Sequence, residues 1–174
     1  MTYRIHELEV TLDGSLPKIM RRIETPSSMV LAQLHEVLQV VMGWQNAHRF
    51  AFYDEHTGKL PTFIPLSVAA PFRDSVITYV YDFDDHWTHR IRTLTTFERR
   101  APMPHPRCTA ATRACPPESI GGMARYQSLV APHATKRRKE GSLPPGFKPS
   151  RFDRDDVNQQ LAEQFCLTAE DDEQ

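Results

Sequence analysis

Tyr79-Val-Tyr-Asp-Phe-Asp-Asp-His-Trp-Thr-His-Arg-Ile91 holds four aromatic residues, two histidines and three aspartates. It reads as a β-hairpin. With Asp84-Asp85-His86 as its loop, Phe83 faces Trp87, Tyr81 faces His89 and Tyr79 faces Ile91. Side-chain direction has a period of two, so these six share one side of the sheet. The opposite side carries Thr78, Val80, Asp82, Thr88, Arg90 and Arg92. One face is thus aromatic and the other charged. Burying the aromatic face contributes roughly 1.5–3 kcal/mol per large side chain, which is reason enough for those residues to be there.

The flanking sequence extends this into an α+β fold. Residues 3–12 alternate as a strand with Leu8, Val10 and Leu12 on one face, and Asp13-Gly14 marks the turn into a returning strand over 18–24. Val30, Leu34, Val37, Leu38 and Val41 recur at helical spacing, with Ser28 as the expected N-cap and Gly43 as the stop. Trp44 should pack beneath the helix end. Short strands are expected over 48–53 and 60–64, and the two arms of the hairpin over 76–83 and 87–94. Nine of the 14 prolines fall between Pro102 and Pro149, so that segment reads as ordered but irregular chain. A short helix is expected near Met123–Val130. A final helix begins at Asp153 and shows Val157, Leu161 and Phe165 on one stripe. The expected architecture is a mixed α/β roll: an N-terminal β-hairpin, a packed helix, a central antiparallel hairpin and a C-terminal helix. It spans residues 1–168 as one domain, and 169–174 form an acidic, frayed tail.

Composition limits the function classes. The chain has 174 residues, 21 Lys and Arg against 22 Asp and Glu, and a formal net charge of −1. That gives no global basic field for nucleic acid. No apolar run is long enough to span a bilayer, and the N-terminus lacks a secretory h-region. Cys108, Cys115 and Cys166 are odd in number and widely spaced, which suits reduced thiols. The six residues between Cys108 and Cys115 exceed the usual zinc spacing. Gly121-Gly122 lacks the lysine of a phosphate loop, and no serine stands in a nucleophile-elbow context.

The candidate catalytic residues are Asp82, Asp85, His89 and His48. Paired carboxylates with nearby imidazoles can hold a divalent ion or move protons. The simpler reading makes His89 a core histidine bonded to Tyr81 or a carbonyl, and makes Asp84 and Asp85 turn residues. The spacing Asp-x-Asp-Asp-His-x-x-His matches no tight metal motif, so neither metal nor cofactor is expected. Candidate binding residues are Arg21, Arg90, Glu118 and the basic run Lys136-Arg137-Arg138-Lys139. Arg21 sits between Ile19 and Ile23 on an apolar face. It reads as an edge-strand or snorkelling arginine, or as the partner of a carboxylate near a site. The basic run reads as a solvated loop, or as a phosphate contact.

Several blocks together carry a family resemblance. They are Arg21-Arg-Ile-Glu-Thr-Pro26, Leu31-Ala-Gln-Leu-His-Glu-Val-Leu-Gln39 with Met42-Gly-Trp44, and His48 with Phe52. Then come Tyr81-Asp-Phe83 with Asp85, Trp87 and His89, and Cys115-Pro-Pro-Glu118 with Gly121-Gly122 and Tyr126. Phe152-Asp153 with Val157-Asn158 and Leu161 closes the set. In this order and over residues 20–161 they resemble the Ri-plasmid open-reading-frame-three-like family, whose members are also called TnpR-like transposon passenger proteins. The resemblance implies an α+β roll, prokaryotic cytoplasm and association with plasmids and mobile elements, but no particular activity. The chain departs from the family pattern at Met20, Asp84, His86, Thr88 and Arg125, which argues against a fixed metal centre at the hairpin. The expected function is therefore a non-enzymatic binding or accessory protein. Its groove would be lined by the charged hairpin face, His48 and the Cys115–Gly122 loop. A metal-dependent hydrolase or nuclease and a DNA-contacting protein are the alternatives. The expected partner is a protein or nucleic acid of a mobile-element system, without a membrane, and the sequence leaves the oligomeric state open.

Overall fold

The computed structural model describes residues 2–131 and 143–165. Seven strands form one sheet: β1 (Tyr3–Leu12), β2 (Met20–Pro26), β3 (Phe50–Asp54), β4 (Gly58–Leu60), β5 (Val76–Tyr81), β6 (Trp87–Arg99) and β7 (Arg107–Thr112). Their order is β4-β3-β5-β6-β1-β2-β7, and every pairing is antiparallel. The helices are α1 (Leu31–Met42), the single turn α2 (Leu66–Ala69), α3 (Gly122–Val130) and α4 (Arg154–Phe165). The α+β class, the N-terminal hairpin, the packed helix, the central hairpin and the C-terminal helix are all present.

The core lies between the sheet and α1. Leu8, Val10 and Leu12 of β1, Ile23 of β2 and Ile91 of β6 are buried under Leu34, Val37, Leu38 and Val41 of α1, and Leu161 of α4 completes the cluster. Gly43 ends α1 at φ 76°, a left-handed conformation that glycine adopts without a Cβ clash. Ser28 is not the cap of α1. Val30 holds that position, and the first helical N–H groups of Leu31 and Ala32 donate to the carbonyls of Ile64 and Thr62. Neighbouring chain thus satisfies donors that a side-chain cap would otherwise meet.

Other differences have local causes. Strand β7 is paired along β2 despite the surrounding prolines, because Arg107–Thr112 itself contains none. Strand β2 therefore lies inside the sheet, and Arg21 is neither at an edge nor snorkelling. It is 1% exposed. Among the described residues no carboxylate lies within 4 Å of it. Its Nε donates to the Val41 carbonyl (2.7 Å) and its Nη1 to the carbonyls of Met20 (2.8 Å) and Thr112 (3.0 Å). Nη2 lies 3.1 Å from the Cys115 sulfur, and the guanidinium stacks over the Phe152 ring at 4.1 Å. The cation sits at the C-terminal end of α1, where unpaired carbonyls and the helix dipole favour positive charge.

Asp153 caps α4, its carboxylate accepting the Asp156 N–H at 3.2 Å. The basic run Lys136–Lys139, Cys166 and the acidic tail 169–174 lie outside the described residues.

Candidate functional site

The hairpin keeps its predicted parity but shifts its register. Tyr81 pairs with Trp87, Tyr79 with His89 and Ile77 with Ile91. The loop is five residues long, from Asp82 to His86, and both of those take positive φ, 55° and 54°. Aspartate and histidine tolerate that region better than most side chains. The Asp82 carboxylate then accepts the N–H groups of Asp84 (3.0 Å) and Asp85 (3.4 Å), and the His86 N–H closes the turn onto the Asp82 carbonyl. Phe83 accordingly moves from the expected aromatic face into the loop, where it is 39% exposed and lies under Arg49. Asp82, expected on the charged face, is instead nearly buried.

Tyr79, Tyr81, Trp87 and His89 do form the buried face, and Trp44, expected beneath the helix end, packs onto it. The Trp44 ring stacks on Tyr81 at 5.1 Å and meets His89 edge-on at 5.3 Å. A buried polar chain runs alongside. His35 is buried, stacked on Phe50 at 3.6 Å and held between the Tyr79 hydroxyl and the Asn46 side chain, both at 2.8 Å. Gln39 donates to the same tyrosine oxygen. Tyr79 therefore donates to His35 Nδ1, which makes Nε2 the protonated nitrogen facing Asn46 Oδ1. Burial holds His35 below the usual histidine range and Tyr79 far above the usual tyrosine range.

His89 differs. It lies against Trp44 and Tyr79 rather than being bonded to Tyr81, and neither ring nitrogen has a partner in hydrogen-bonding geometry among the described residues. Burial pushes its pKa down to about 4, against a smaller upward pull from the nearby Tyr79 and Trp87 backbone.

The Pro116–Gly122 loop closes over this aromatic layer. Trp44 Nε1 donates to the Pro116 carbonyl (3.0 Å) and Trp87 Nε1 to the Glu118 carbonyl (3.3 Å). The Glu118 carboxylate accepts the Gln45 N–H (3.1 Å) and the Tyr81 hydroxyl. That hydroxyl in turn accepts the N–H groups of Ala47 and His48. Burial, then the bond to Glu118, pushes Tyr81 up to about 12, so it stays a donor. Asp85 accepts the Gly121 N–H at 2.9 Å, and a Cβ on Gly122 would stand 3.0 Å from the Asp85 carbonyl oxygen. Gly122 is thus required by close approach as well as by its φ of 81°.

These contacts place the sequence candidates. His48 and Asp82 come together, 3.6 Å apart. Asp85 holds the Gly121 turn, and His89 lies in the aromatic layer. Among the described residues, no three His, Cys, Asp or Glu side chains gather as metal ligands. Arg90 is on the outer face of the sheet, opposite His89 in parity, whereas Glu118 is on the helix side. The expected groove joining the charged hairpin face to the Cys115–Gly122 loop is therefore two separate surfaces.

The outer face carries its own groove, which sequence reasoning reached only through Thr78, Arg90 and Arg92 of the charged hairpin face. A cavity of about 950 Å³ runs from Tyr53 and Asp54 past Val76 and Thr78 to Asp13 and Arg90. A second, of about 430 Å³, continues from Asp13 and Arg90 to Glu9, Lys18 and Arg92. Arg92 and Lys18 are tied to Glu9 at 3.3 and 3.4 Å, and Arg92 also reaches Asp74 at 3.3 Å. Burial raises the Asp13 pKa, and the Arg90 charge opposes that shift. The available signal was the alternation of charged residues along β1 and β6.

Among the described residues no helix is long and apolar enough to cross a membrane. The chain is 28% identical to a protein of unknown function, MM3350, from Methanosarcina mazei Go1. Its crystal structure superposes with a TM-score of 0.77 over 89% of this chain and 98% of that one. An uncharacterized protein of Sinorhizobium fredii (strain NBRC 101917 / NGR234), y4hQ, is 36% identical over 142 residues, 74% of this chain and 73% of the relative. The family model for plasmid pRiA4b ORF-3-like proteins matches residues 4–160. By sequence and by fold, this chain belongs to the plasmid pRiA4b ORF-3-like family.

Proposed function

We propose that this protein is a cytoplasmic, non-enzymatic binding domain that serves a plasmid or other mobile element, with its ligand surface on the outer face of the sheet. The observation that carries this reading is the division of labour between the two faces. The acids of the hairpin region are engaged by backbone N–H groups: Glu118 by Gln45, Asp85 by Gly121 and Asp82 by Asp84 and Asp85. Carboxylates spent on holding a loop are poorly placed to act as acids or bases. The outer groove, by contrast, holds charged side chains outside any ion pair: among the described residues neither Glu55 nor Arg90 has an opposite charge within 4 Å.

Paired variants test this. Glu118→Gln should lower thermal stability by about 1–3 kcal/mol, because its amide group cannot accept both N–H and O–H donors equally. Arg90→Ala should shift stability by less than about 0.5 kcal/mol, as an exposed side chain without a tight partner. Purified protein should show no turnover of phosphodiester, phosphomonoester or ester substrates with Mn²⁺ or Zn²⁺ present. A specific turnover that disappears in Asp85→Ala, with the fold intact by circular dichroism, would overturn the reading.

A further inference from the structure

From the charge and shape of the larger outer groove, we infer that its occupant is a peptide segment of a partner protein that carries both basic and apolar side chains. This rests on the binding reading and names the ligand class. Asp13, Asp54 and Glu55 line the groove against the single lining cation Arg90, while Asp74, also in the lining, is already paired with Arg92 at 3.3 Å and Arg73 at 3.8 Å. Such a lining attracts cationic groups and repels nucleic-acid phosphates. Among the described residues Glu55 is in no ion pair within 4 Å, so its charge is open to a partner.

The same groove has an apolar wall. Val68 of α2 lines it and is 63% exposed. Phe63 and Phe72, next in the chain to the lining residues Ile64 and Pro71, are 76% and 74% exposed. Val68, with Leu60, Ile64, Pro71 and Val76 of the same lining, sets an apolar wall beside the acids, which fits a partner that offers apolar anchors together with positive charge. A purely polar cation would leave the wall uncovered, and an acidic or neutral peptide would leave the carboxylates unmatched.

The test titrates the full-length chain against a fluorescein-labelled peptide of alternating lysine and leucine, read by anisotropy. The controls are a glutamate–leucine peptide of equal length and a short DNA duplex. The lysine–leucine peptide is expected to bind, and to weaken as salt rises. Glu55→Gln with Asp13→Asn, and separately Val68→Ser, should each weaken it by at least about tenfold, while Asp155→Asn on the remote helix α4 leaves it unchanged. Equal weakening by Asp155→Asn would show unspecific charge attraction and overturn the inference. So would preferential binding of the acidic peptide or the duplex. Concentration-dependent self-association in sedimentation that Val68→Ser abolishes would also overturn it, by assigning the groove to a second copy. Absence of peptide binding together with absence of turnover removes this ligand class alone, whereas turnover lost in Asp85→Ala removes the binding reading beneath it.

Discussion

Arg21→Met is expected to destabilise the protein by about 3 kcal/mol or more, lowering the melting temperature by roughly 6–12 °C. The arginine joins five parts of the fold through one planar group. It meets the last turn of α1 at Val41, its own strand at Met20, β7 at Thr112, the Cys115 thiol, and the Phe152 ring just before α4. Methionine fills similar volume but leaves the Val41, Met20 and Thr112 carbonyls without this donor in a site shut off from water. Arg21→Lys should recover less than half of the loss, because one ammonium cannot reach carbonyls lying in three directions. Chemical denaturation of the three proteins measures this directly. A loss under about 1 kcal/mol for methionine would mean that water or neighbouring donors replace the guanidinium.

The second large effect is a loss of stability in mild acid, traced to His89. Its folded pKa is about 4 and the ordinary value is 6.5. A depressed folded value means that, between those pH values, the unfolded chain binds the proton and the folded chain does not. The stability tied to His89 is therefore fully present above about pH 6.5 and falls as the pH drops toward 4. The loss is roughly 2 kcal/mol by pH 5 and about 3 kcal/mol by pH 4. Burial lowers His6 and His35 as well, which adds to the slope in the same direction. His89→Leu should match or exceed the native stability at pH 7.5, since it removes two buried nitrogens that make no well-formed hydrogen bond among the described residues. It should also show a visibly shallower decline at pH 5. Urea denaturation at the two pH values separates the outcomes. A variant as acid-sensitive as the native chain would place the proton uptake elsewhere.

Much of the architecture was legible because it follows from local periodicity. The strand alternation of β1, the helical stripe of α1 with Gly43 behind it, and the two-residue parity of the hairpin each need no distant partner. What the sequence hid depends on three-dimensional partners. The hairpin register turned on Asp82 and His86 adopting positive φ, which lengthened the loop and moved Phe83 out of the aromatic layer. Arg21 looked misplaced on an apolar face, because the carbonyls it serves come from α1 and β7, 20 and 91 residues away. Nothing in the sequence marked His35 as a buried polar anchor, because its partners Tyr79 and Asn46 arrive from other elements. The outer groove drew residues from the turn after β1, from β3, β4, β5 and β6 and from the α2 region, and among them the sequence pointed only to Thr78 and Arg90 of the charged hairpin face.

Assigning ligand recognition to the outer sheet face, and structural duty to the hairpin and the Pro116–Gly122 loop, is tested most directly by two-dimensional ¹⁵N NMR. The full chain would be titrated with the lysine–leucine peptide. The account predicts concentration-dependent shifts at the amides of Val76, Thr78 and Arg90, with those of His48, Asp85 and Gly121 unmoved. Shifts confined to His48, Asp85 and Gly121, or none at any amide, would contradict it.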